Sequence, residues 1–310
     1  MADAVKISVL VCTYNRAARI GETIESLVTQ ALPGSPGWEI LIVDNNSLDN
    51  TRQVIEDFQR RYPRLIRYFL EKQQGISHAR NAAIRQARGE ILAFIDDDET
   101  AEPGWLQNLT AALHNGEWAG AGGRVLTPPD FSPPQWLSLK SWFVSGPLAS
   151  FDRGMNPGQL DDPPFGANMA FRREVFDRCG LFRTDLGRSG KNLISNEDTE
   201  FGRRLFAAGL KLRYEPASVT YHPVEENRLR RSYFLHWWFN KGRSDIRELG
   251  NPPGTRRLFG IPLGLFRAVA WAAARWMVSV SESQRFSYKV ETWNCVGQLA
   301  ESYLQARRRT

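Results

Sequence analysis

The sequence contains little cysteine: Cys12, Cys179 and Cys295 are the only three in 310 residues. They are scattered and odd in number, which argues against a disulfide framework or a cysteine-based zinc site and is typical of a reducing compartment. No uncharged apolar run reaches the length of about 18 residues that a transmembrane helix needs, so we expect none. The N-terminal residues lack the basic and long apolar regions of a secretory signal peptide. These absences favour a cytoplasmic protein.

The sequence also lacks a P-loop and a GxGxxG motif, which excludes a phosphate site of the Walker or Rossmann kind. Its 42% hydrophobic and 24% charged residues are typical of a globular protein. From Glu225 to the end there are 15 basic and 7 acidic residues, so the excess positive charge of the chain, +6, lies in its last quarter. Such a region suits an anionic membrane or a solvated surface, and no recognition module for nucleic acid accompanies it.

Apolar runs and helical periodicity alternate along the first hundred residues. We predict strands over 5–12, 38–43, 65–70 and 90–95, with helices over 18–30, about 50–60, and 76–87. This order predicts an α/β fold with a mostly parallel sheet flanked by helices, and such sheets bind ligands at the carboxyl ends of their strands. Asp44 and the run Asp96-Asp97-Asp98 both follow strands and should lie at that edge.

The remaining sequence is less regular. Residues 127–164 are rich in proline and turns, and a loop of that length is usually functional. We then predict a helix from Arg172, a helix over 197–208, strands over 210–214 and 218–222, and helices beyond. The predicted domains are 1–224, with halves 1–126 and 127–224 for nucleotide and acceptor, and a basic helical region, 225–310.

The three consecutive aspartates are the strongest chemical signal. Clustered carboxylates repel one another, and a divalent cation such as Mg²⁺ or Mn²⁺ removes that cost while bridging to a substrate phosphate. In a continuing strand Asp96 and Asp98 would point to one side and Asp97 to the other. One carboxylate could then bind metal while another contacts a ribose. The alternative is an exposed acidic turn without a ligand.

Seven motifs, read in order, resemble the family 2 glycosyltransferases with a GT-A fold. The resemblance runs over about 5–222, roughly two thirds of the chain. The motifs are TYNR after the first strand, IVDNNSLDNT, GISHARNAAIRQARGEILAFIDDD, PGWL, GANMAFRR, NEDTEFGRRLFAAG and YEPASVTYH. Family members commonly have Asp-Asp-Gly-Ser where this chain has Asp44-Asn45-Asn46-Ser47, and asparagine tolerates the left-handed conformation almost as glycine does.

The resemblance implies a role for each matching residue. The donor nucleotide and sugar would contact Thr13, Tyr14, Asn15, Arg16, Asp44, Arg80, Asp96 and Asp97. Apart from the resemblance, Gly166 in FGAN is a candidate for the donor site, because a glycine would let the backbone approach the donor sugar. The metal, Mn²⁺ or Mg²⁺, would be bound by Asp98 together with Asp96 and His222. Asp198 would be the general base of an inverting reaction, with Glu197 the alternative. Both acids begin a predicted helix, so simple capping is the competing interpretation. Gly166 could equally be an ordinary bulge glycine.

The implied function is metal-dependent transfer of a sugar from a nucleoside-diphosphate donor, with UDP the expected nucleotide, to a glycan or lipid-linked glycan. The rivals are a catalytically silent nucleotide-binding scaffold of a polysaccharide assembly and a sugar-1-phosphate nucleotidyltransferase, which would need a glycine-rich loop after the first strand. Trp136 and Trp142 could form a platform for an acceptor sugar, although anchoring the long loop in a core is favoured. In the C-terminal region, Arg267, Trp271 and Arg275 suit either a helix lying peripherally in a membrane interface or a helix packed on protein.

Overall fold

The computed structural model describes residues 5–32, 37–190, 192–251 and 256–308. They belong to two compact units. The first unit comprises Met1–Pro129, Ala149–Thr184 and Glu197–Pro223. The second comprises Asp130–Leu148, Asp185–Asn196 and Val224–Thr310, so it takes in two segments that the sequence analysis assigns to the first domain.

The strands of the first unit form one sheet. Within its described residues these strands are β1 (Val5–Thr13), β2 (Gly37–Asp44), β3 (Ile66–Leu70), β4 (Ile91–Asp96), β5 (Thr100–Ala101), β6 (Gly120–Leu126), β7 (Gly158–Gln159), β8 (Asn168–Arg172) and β9 (Leu212–Tyr221). The sheet order is β3-β2-β1-β4-β8-β6-β9-β5, with β7 also paired to β9. Strands β3, β2, β1 and β4 are parallel, as is the pair β6–β9, and the other pairs are antiparallel.

Helices cover both faces of this sheet. In order they are α1 (Ile20–Val28), α2 (Thr51–Arg61), α3 (Ile76–Gln86), α4 (Trp105–Ala111), α5 (Glu174–Cys179) and α6 (Glu197–Ala207), with a 3₁₀ turn at Ala112–Asn115. Alternate residues of β1 face opposite cores, as the two-residue period of a strand requires. Leu10 packs in the core beneath α3, α5 and α6, whereas Val9 and Val11 pack in the core beneath α1, α2 and α4. The predicted α/β class is confirmed.

Two local predictions were wrong. The predicted helix from Arg172 does not begin there, because 168–172 pairs with β4 and β6 as β8, and α5 begins at Glu174. The two strands predicted over 210–214 and 218–222 are one strand, β9. Pro216, which has no N–H to donate, lies where the pairing of β9 with β6 shifts register between Gly123 and Arg124. A bulge absorbs the proline without ending the strand.

The second unit is mainly helical. Its described elements are a 3₁₀ turn (Glu226–Leu229), α7 (Arg231–Leu249), a hairpin of β10 (Arg257–Leu258) and β11 (Ile261–Pro262), α8 (Leu263–Val278) and α9 (Glu282–Arg307). Helices α7 and α9 approach closely at glycines: a Cβ on Gly297 would lie 1.9 Å from the carbonyl oxygen of Phe239. Among the described helices, none combines the length and apolarity needed to cross a bilayer.

The tryptophans of the long loop pack within this second unit. The ring of Trp136 lies edge-on to Phe234 and Phe286, at centroid distances of 5.3 and 5.2 Å. Trp136 therefore anchors the loop in a core, as the sequence analysis favours. Trp142 stays about half exposed, with its ring 4.8 Å from that of Trp238 and its indole N–H donating to Ser287 Oγ.

Candidate active site

The candidate site begins at the carboxyl edge of the parallel strands. Register aligns Thr13 at the end of β1 with Asp44 at the end of β2, and Cys12 with Asp96 at the end of β4. The predicted meeting of these strand ends at one edge is confirmed. Thr13 and Asp44 are both buried there.

Asp44 is held by two donors. The hydroxyl of Tyr68 donates to one carboxylate oxygen at 3.0 Å, and the backbone N–H of Ser47 donates to the other at 2.9 Å. Burial, together with the Asp44 carboxylate, raises the pKa of Tyr68 to about 12, so the phenol remains a donor at neutral pH. Asn46 has φ +66°, the conformation that the family's glycine would adopt at this turn. Asparagine therefore preserves the turn.

The loops after β1 and β2 are bonded to each other through Asn15. Asn15 has φ +51°, and its N–H donates to Ser47 Oγ at 2.9 Å. Its side-chain oxygen accepts the N–H of Leu48 at 2.7 Å. The N–H of Arg16 donates to Thr51 Oγ1 at 2.8 Å. Asn15 thus shapes the loop, and the next residue, Arg16, is directed toward the acids after β4.

Strand β4 ends at Asp96, so the strand alternation expected for the three aspartates does not apply to them. Arg16 contacts both following acids: its Nε lies 3.4 Å from Asp97 Oδ1 and its Nη2 lies 3.0 Å from Asp98 Oδ2. The N–H of Tyr14 also donates to Asp97, at 3.3 Å. On its other side, Asp98 Oδ1 lies 3.6 Å from His222 Nε2.

The aspartate cluster is costly without a cation. Burial, and then repulsion by Asp98, raises the pKa of Asp97 to about 7 even though Arg16 opposes the shift. The carboxylate of Glu99 is wholly buried behind the cluster, and desolvation together with Asp96 raises its pKa well above the usual range. The ionised forms of the Asp97 and Glu99 carboxylates are therefore disfavoured unless a further positive group is present.

We predict that Asp97→Asn stabilises the metal-free protein at neutral pH. Between about pH 4 and pH 7 the native carboxyl keeps a proton that the unfolded chain loses, so rising pH destabilises the native state by roughly 1.4 kcal/mol per unit. The variant should lack this slope, and its advantage in urea unfolding should grow from about 1 kcal/mol at pH 4.5 to roughly 4 kcal/mol at pH 8. Asp161→Asn, on an exposed loop, is the control. A pH-independent difference for Asp97→Asn would contradict the prediction.

Arg80 connects the acidic end of β4 to the beginning of α6. It is buried in α3, with Nη1 2.9 Å from Glu197 Oε1 and Nη2 3.5 Å from Asp96 Oδ1. Burial opposes its charge, but the carboxylates of Glu197, Asp96 and Asp198 outweigh that effect and raise the pKa of Arg80. The guanidinium is therefore a permanent cation shared among three of the predicted site residues.

Gly166 lies against this guanidinium. A Cβ at Gly166 would be 2.4 Å from Arg80 Nη2, and the N–H of Gly166 donates to Asp198 Oδ2 at 2.8 Å. The close approach explains the glycine better than an ordinary bulge does. It also means that the same residue contacts both the cation and the candidate base.

We predict that Gly166→Ala lowers activity by at least about tenfold, because the methyl group displaces Arg80 from Asp96 and Glu197. The measurement is kcat/KM for the sugar donor, with a thermal melt to establish folding. Gly158→Ala is the matched control, since a Cβ there meets nothing within 4 Å. Equal activity of the two variants would refute a positional role for Gly166.

The two candidate bases differ in their surroundings. Glu197 is buried and paired with Arg80, whereas Asp198 is partly exposed. Asp198 Oδ1 accepts the N–H of Thr199 at 2.7 Å, a contact inside its own helix. Asp198 is the second residue of α6, so it accepts an N–H of the first turn while its carboxylate remains partly exposed, and the capping and base interpretations are compatible.

Sequence reasoning missed Tyr68 and Glu99. Tyr68 lies in β3, and only the register of β3 on β2 shows that its hydroxyl reaches Asp44. Glu99 directly follows the three aspartates, and this continuous run of four acids could have indicated from the sequence that Glu99 belongs to the same cluster.

The residues present fit a divalent cation that shares its ligands with a substrate. The described residues contain no group of three or more histidine, cysteine or acidic side chains arranged to hold a metal by themselves. They do contain the Asp98–His222 pair, in which a carboxylate oxygen and an imidazole nitrogen lie beyond hydrogen-bond distance at 3.6 Å. Cations such as Mg²⁺ commonly take one or two protein ligands and complete their shell with phosphate and water.

A solved structure identifies the fold. The chain matches "Mannosyltransferase PcManGT from Pyrobaculum calidifontis in complex with GDP-Man and Mn2+" with a TM-score of 0.58 and 19% identity. The match covers 100% of this chain and 77% of that one. The fold is therefore the GT-A fold of glycosyltransferases.

Sequence comparison then gives the family. The model of Glycosyl transferase family 2 matches residues 8–180, more than half of the chain, so the chain belongs to that family and is a glycosyltransferase. Succinoglycan biosynthesis protein ExoM of Rhizobium meliloti is 26% identical over 291 residues, covering 93% of this chain and 90% of the relative. Glucosyl-dolichyl phosphate glucuronosyltransferase of Haloferax volcanii is 28% identical over 248 residues, covering 77% and 76%. The resemblance stated from the ordered motifs is confirmed.

Proposed function

We propose that this chain transfers a sugar from a nucleoside-diphosphate donor, with inversion at the anomeric carbon, to a hydroxyl of a glycan or lipid-linked glycan. UDP is the expected nucleotide, and Mn²⁺ or Mg²⁺ the expected cation. The observation that carries the proposal is the Arg80 guanidinium, which joins Asp96 at the strand edge to Glu197 at the start of the helix that also bears Asp198.

The strand ends supply the nucleotide half of the site. Asp44, fixed by Tyr68 and Ser47, is placed to accept hydrogen bonds from a ribose or base, beside the buried end of β1 at Thr13 and Tyr14. Because its two donors hold it, the carboxylate needs little reorganisation when a ligand arrives.

The acids after β4 supply the diphosphate half. Asp98 and His222, with Asp96 beside them, would hold the cation, and the cation when bound would neutralise the charge that develops on the departing diphosphate. Arg16 already contacts Asp97 and Asp98 and adds a fixed positive charge at the same place. Arg80 adds a second one from the buried side, where low dielectric strengthens its effect.

Asp198 supplies the base. An acceptor hydroxyl becomes nucleophilic when a carboxylate takes its proton, and Asp198 is exposed enough to reach one. The N–H of Gly166 holds one oxygen of that carboxylate. Glu197 has a different role, since its carboxylate anchors Arg80. Attack on the face opposite the leaving group inverts the anomeric centre.

The names of relatives support the acceptor class. One relative is a succinoglycan biosynthesis protein and another acts on glucosyl-dolichyl phosphate, which are a polysaccharide and a lipid-linked sugar. Both kinds of acceptor offer a sugar hydroxyl to the base. The proposal therefore keeps a glycan and a lipid-linked glycan as the two acceptor forms.

The test is release of nucleoside diphosphate from a panel of UDP-, GDP- and dTDP-sugars, with Mn²⁺ or with EDTA. We expect slow hydrolysis of at least one donor in Mn²⁺ and none in EDTA. Thermal stabilisation by the free nucleotides identifies the preferred base, because a ligand that binds only the native state raises its stability. Nucleotide binding with no hydrolysis or transfer of any donor would instead support the silent scaffold.

A further inference from the structure

A stretch of the second unit is free of acidic residues. Between Glu248 and Glu282 the sequence has no aspartate or glutamate, and it contains Arg256, Arg257, Arg267 and Arg275. At 33 residues this stretch is longer than the other basic stretches without acids, such as residues 58–70 and 72–89. In this acid-free segment, residues 249–281, Arg275 is paired with Glu291 of α9, so Arg256, Arg257 and Arg267 supply the positive charge that would attract an anionic partner.

The same segment carries large apolar side chains in solvent. Six of the fifteen exposed large apolar residues among the described positions lie within 258–280: Leu258, Phe259, Trp271, Met277, Val278 and Val280. Single exposed apolar residues are ordinary on protein surfaces, but a concentration of them in one short segment marks an interaction site.

The tip of the β10–β11 hairpin has a strained backbone at Phe259, a residue whose aromatic ring is exposed. Leu258 pairs with Ile261, so Phe259 and Gly260 form a two-residue turn, and their φ angles are +51° and +77°. Such turns favour asparagine followed by glycine, because both positions have positive φ. A phenylalanine at the first position costs conformational energy and yet is 82% exposed. Backbone strain of this kind is concentrated at functional sites, which makes Phe259 a candidate contact residue.

Helix α8 presents two different faces. Toward α9, Trp276 packs edge-on to Trp293 and Arg275 pairs with Glu291. Arg275 also lies over the ring of Trp271, 5.9 Å from its centroid, at the margin between the two faces. Away from Trp276, Arg267 and Trp271, four residues apart, are both exposed, and exposed Met277 and Val278 follow at the end of the helix. The outward face thus combines apolar side chains with a flexible cation.

We propose that the hairpin tip and the outward face of α8 dock on an anionic lipid bilayer. Phe259, Trp271 and Val278 would enter the boundary between headgroups and acyl chains, as in helices that lie in the membrane plane. Arg256 and Arg257 would contact lipid phosphates, and Arg267 would extend its guanidinium toward them. With 16 residues, α8 can lie along the surface.

Other partners suit this surface less well. A second copy of the chain, docked by the same face, would bring Arg256, Arg257 and Arg267 of the two copies together with no acid from the acid-free segment to offset them, which is repulsive. A nucleic acid would satisfy the arginines but leave the phenylalanine and tryptophan in water. Only a surface that is anionic at its boundary and apolar beneath it satisfies both sets of side chains.

The test is co-sedimentation of the full chain with vesicles. We expect binding to vesicles of phosphatidylcholine with phosphatidylglycerol, and binding at least about tenfold weaker to phosphatidylcholine alone or in about 0.5 M salt. Phe259→Asp with Trp271→Glu should weaken binding by at least about tenfold, since both residues are exposed and each change removes an inserted ring. Aspartate tolerates the positive φ at position 259 better than phenylalanine does, so the variant should fold normally.

Met155→Asp, at an equally exposed apolar residue of the first unit, is the matched control and should bind as the parent does. The surface does not depend on the proposed transfer reaction, and donor hydrolysis by the double variant in the absence of lipid should equal that of the parent. No binding of the parent to phosphatidylglycerol vesicles, or unchanged binding of the double variant, would overturn the proposal. Self-association of the parent through this face, abolished by the double variant, would overturn it in favour of a second copy.

Discussion

Replacing Asp198 by asparagine is expected to lower kcat for sugar transfer by about 10²–10⁴-fold while leaving the Kd for the donor nucleotide nearly unchanged. The amide keeps the size of the side chain, and its oxygen can still accept the N–H of Gly166 at 2.8 Å, although the bond from the N–H of Thr199 is then lost. The contacts of Arg80 with Asp96 and Glu197 are unchanged, so Arg80 should stay in place. In the proposed mechanism, what the variant loses is the ability to take the acceptor proton. Single-turnover transfer together with a nucleotide titration measures the two quantities.

Glu197→Gln is the matched control, because it makes the same acid-to-amide change one residue earlier. It should loosen Arg80, whose Nη1 lies 2.9 Å from the carboxylate, and so weaken donor binding along with kcat. Asp198→Asn should therefore lower kcat alone, whereas Glu197→Gln should lower kcat and also raise the Kd for the donor. If Asp198→Asn retains an ordinary kcat and Glu197→Gln loses it with donor affinity intact, the base is Glu197.

Replacing Asp98 by asparagine is expected to abolish the part of nucleotide affinity that depends on a divalent cation. Asp98 lies beside both His222 and Arg16, and an amide is a much weaker ligand for a hard cation than a carboxylate. Residues that only orient metal ligands already change affinity by about 10–100-fold, so the loss of a direct ligand should exceed that range. Calorimetric titration with nucleotide, in Mn²⁺ and in EDTA, measures the effect.

Asp161→Asn removes one negative charge from an exposed loop and controls for the change in net charge. It should bind nucleotide as the parent does under both conditions. In EDTA the Asp98 variant and the parent should bind equally weakly. An unchanged Mn²⁺-dependent affinity in Asp98→Asn would remove this residue from the cation site.

The sequence predicts the parallel half of the sheet well because β1, β2 and β4 each contain an apolar run of four or five residues that ends at a polar turn. Asp44 and Asp96 could be placed at one edge from the order of elements alone, since parallel strands share the direction of their carboxyl ends. The antiparallel half was harder. Strand β8 is short, and Pro216 interrupts the apolar pattern of β9, so the pairing that joins them is visible only in the structure.

The roles of single residues depend on contacts between distant parts of the chain. Arg80 and Glu197 are 117 positions apart, and local periodicity carries no information on such a pair. Gly166 is ambiguous in the sequence because a bulge and a close approach both favour glycine, and only the 2.4 Å separation from Arg80 distinguishes them. The sequence likewise does not show that β4 ends at Asp96, and so strand alternation could not predict the directions of Asp97 and Asp98.

In the proposed site, the aspartates at and after the end of β4, together with His222, hold a cation that binds a nucleoside diphosphate. Anomalous diffraction at the manganese edge, from crystals grown with Mn²⁺ and UDP or GDP, tests it most directly. We predict one strong peak within bonding distance of Asp98 and His222, with the diphosphate on its other side. A diphosphate bound elsewhere, with no manganese beside Asp98, would contradict the account.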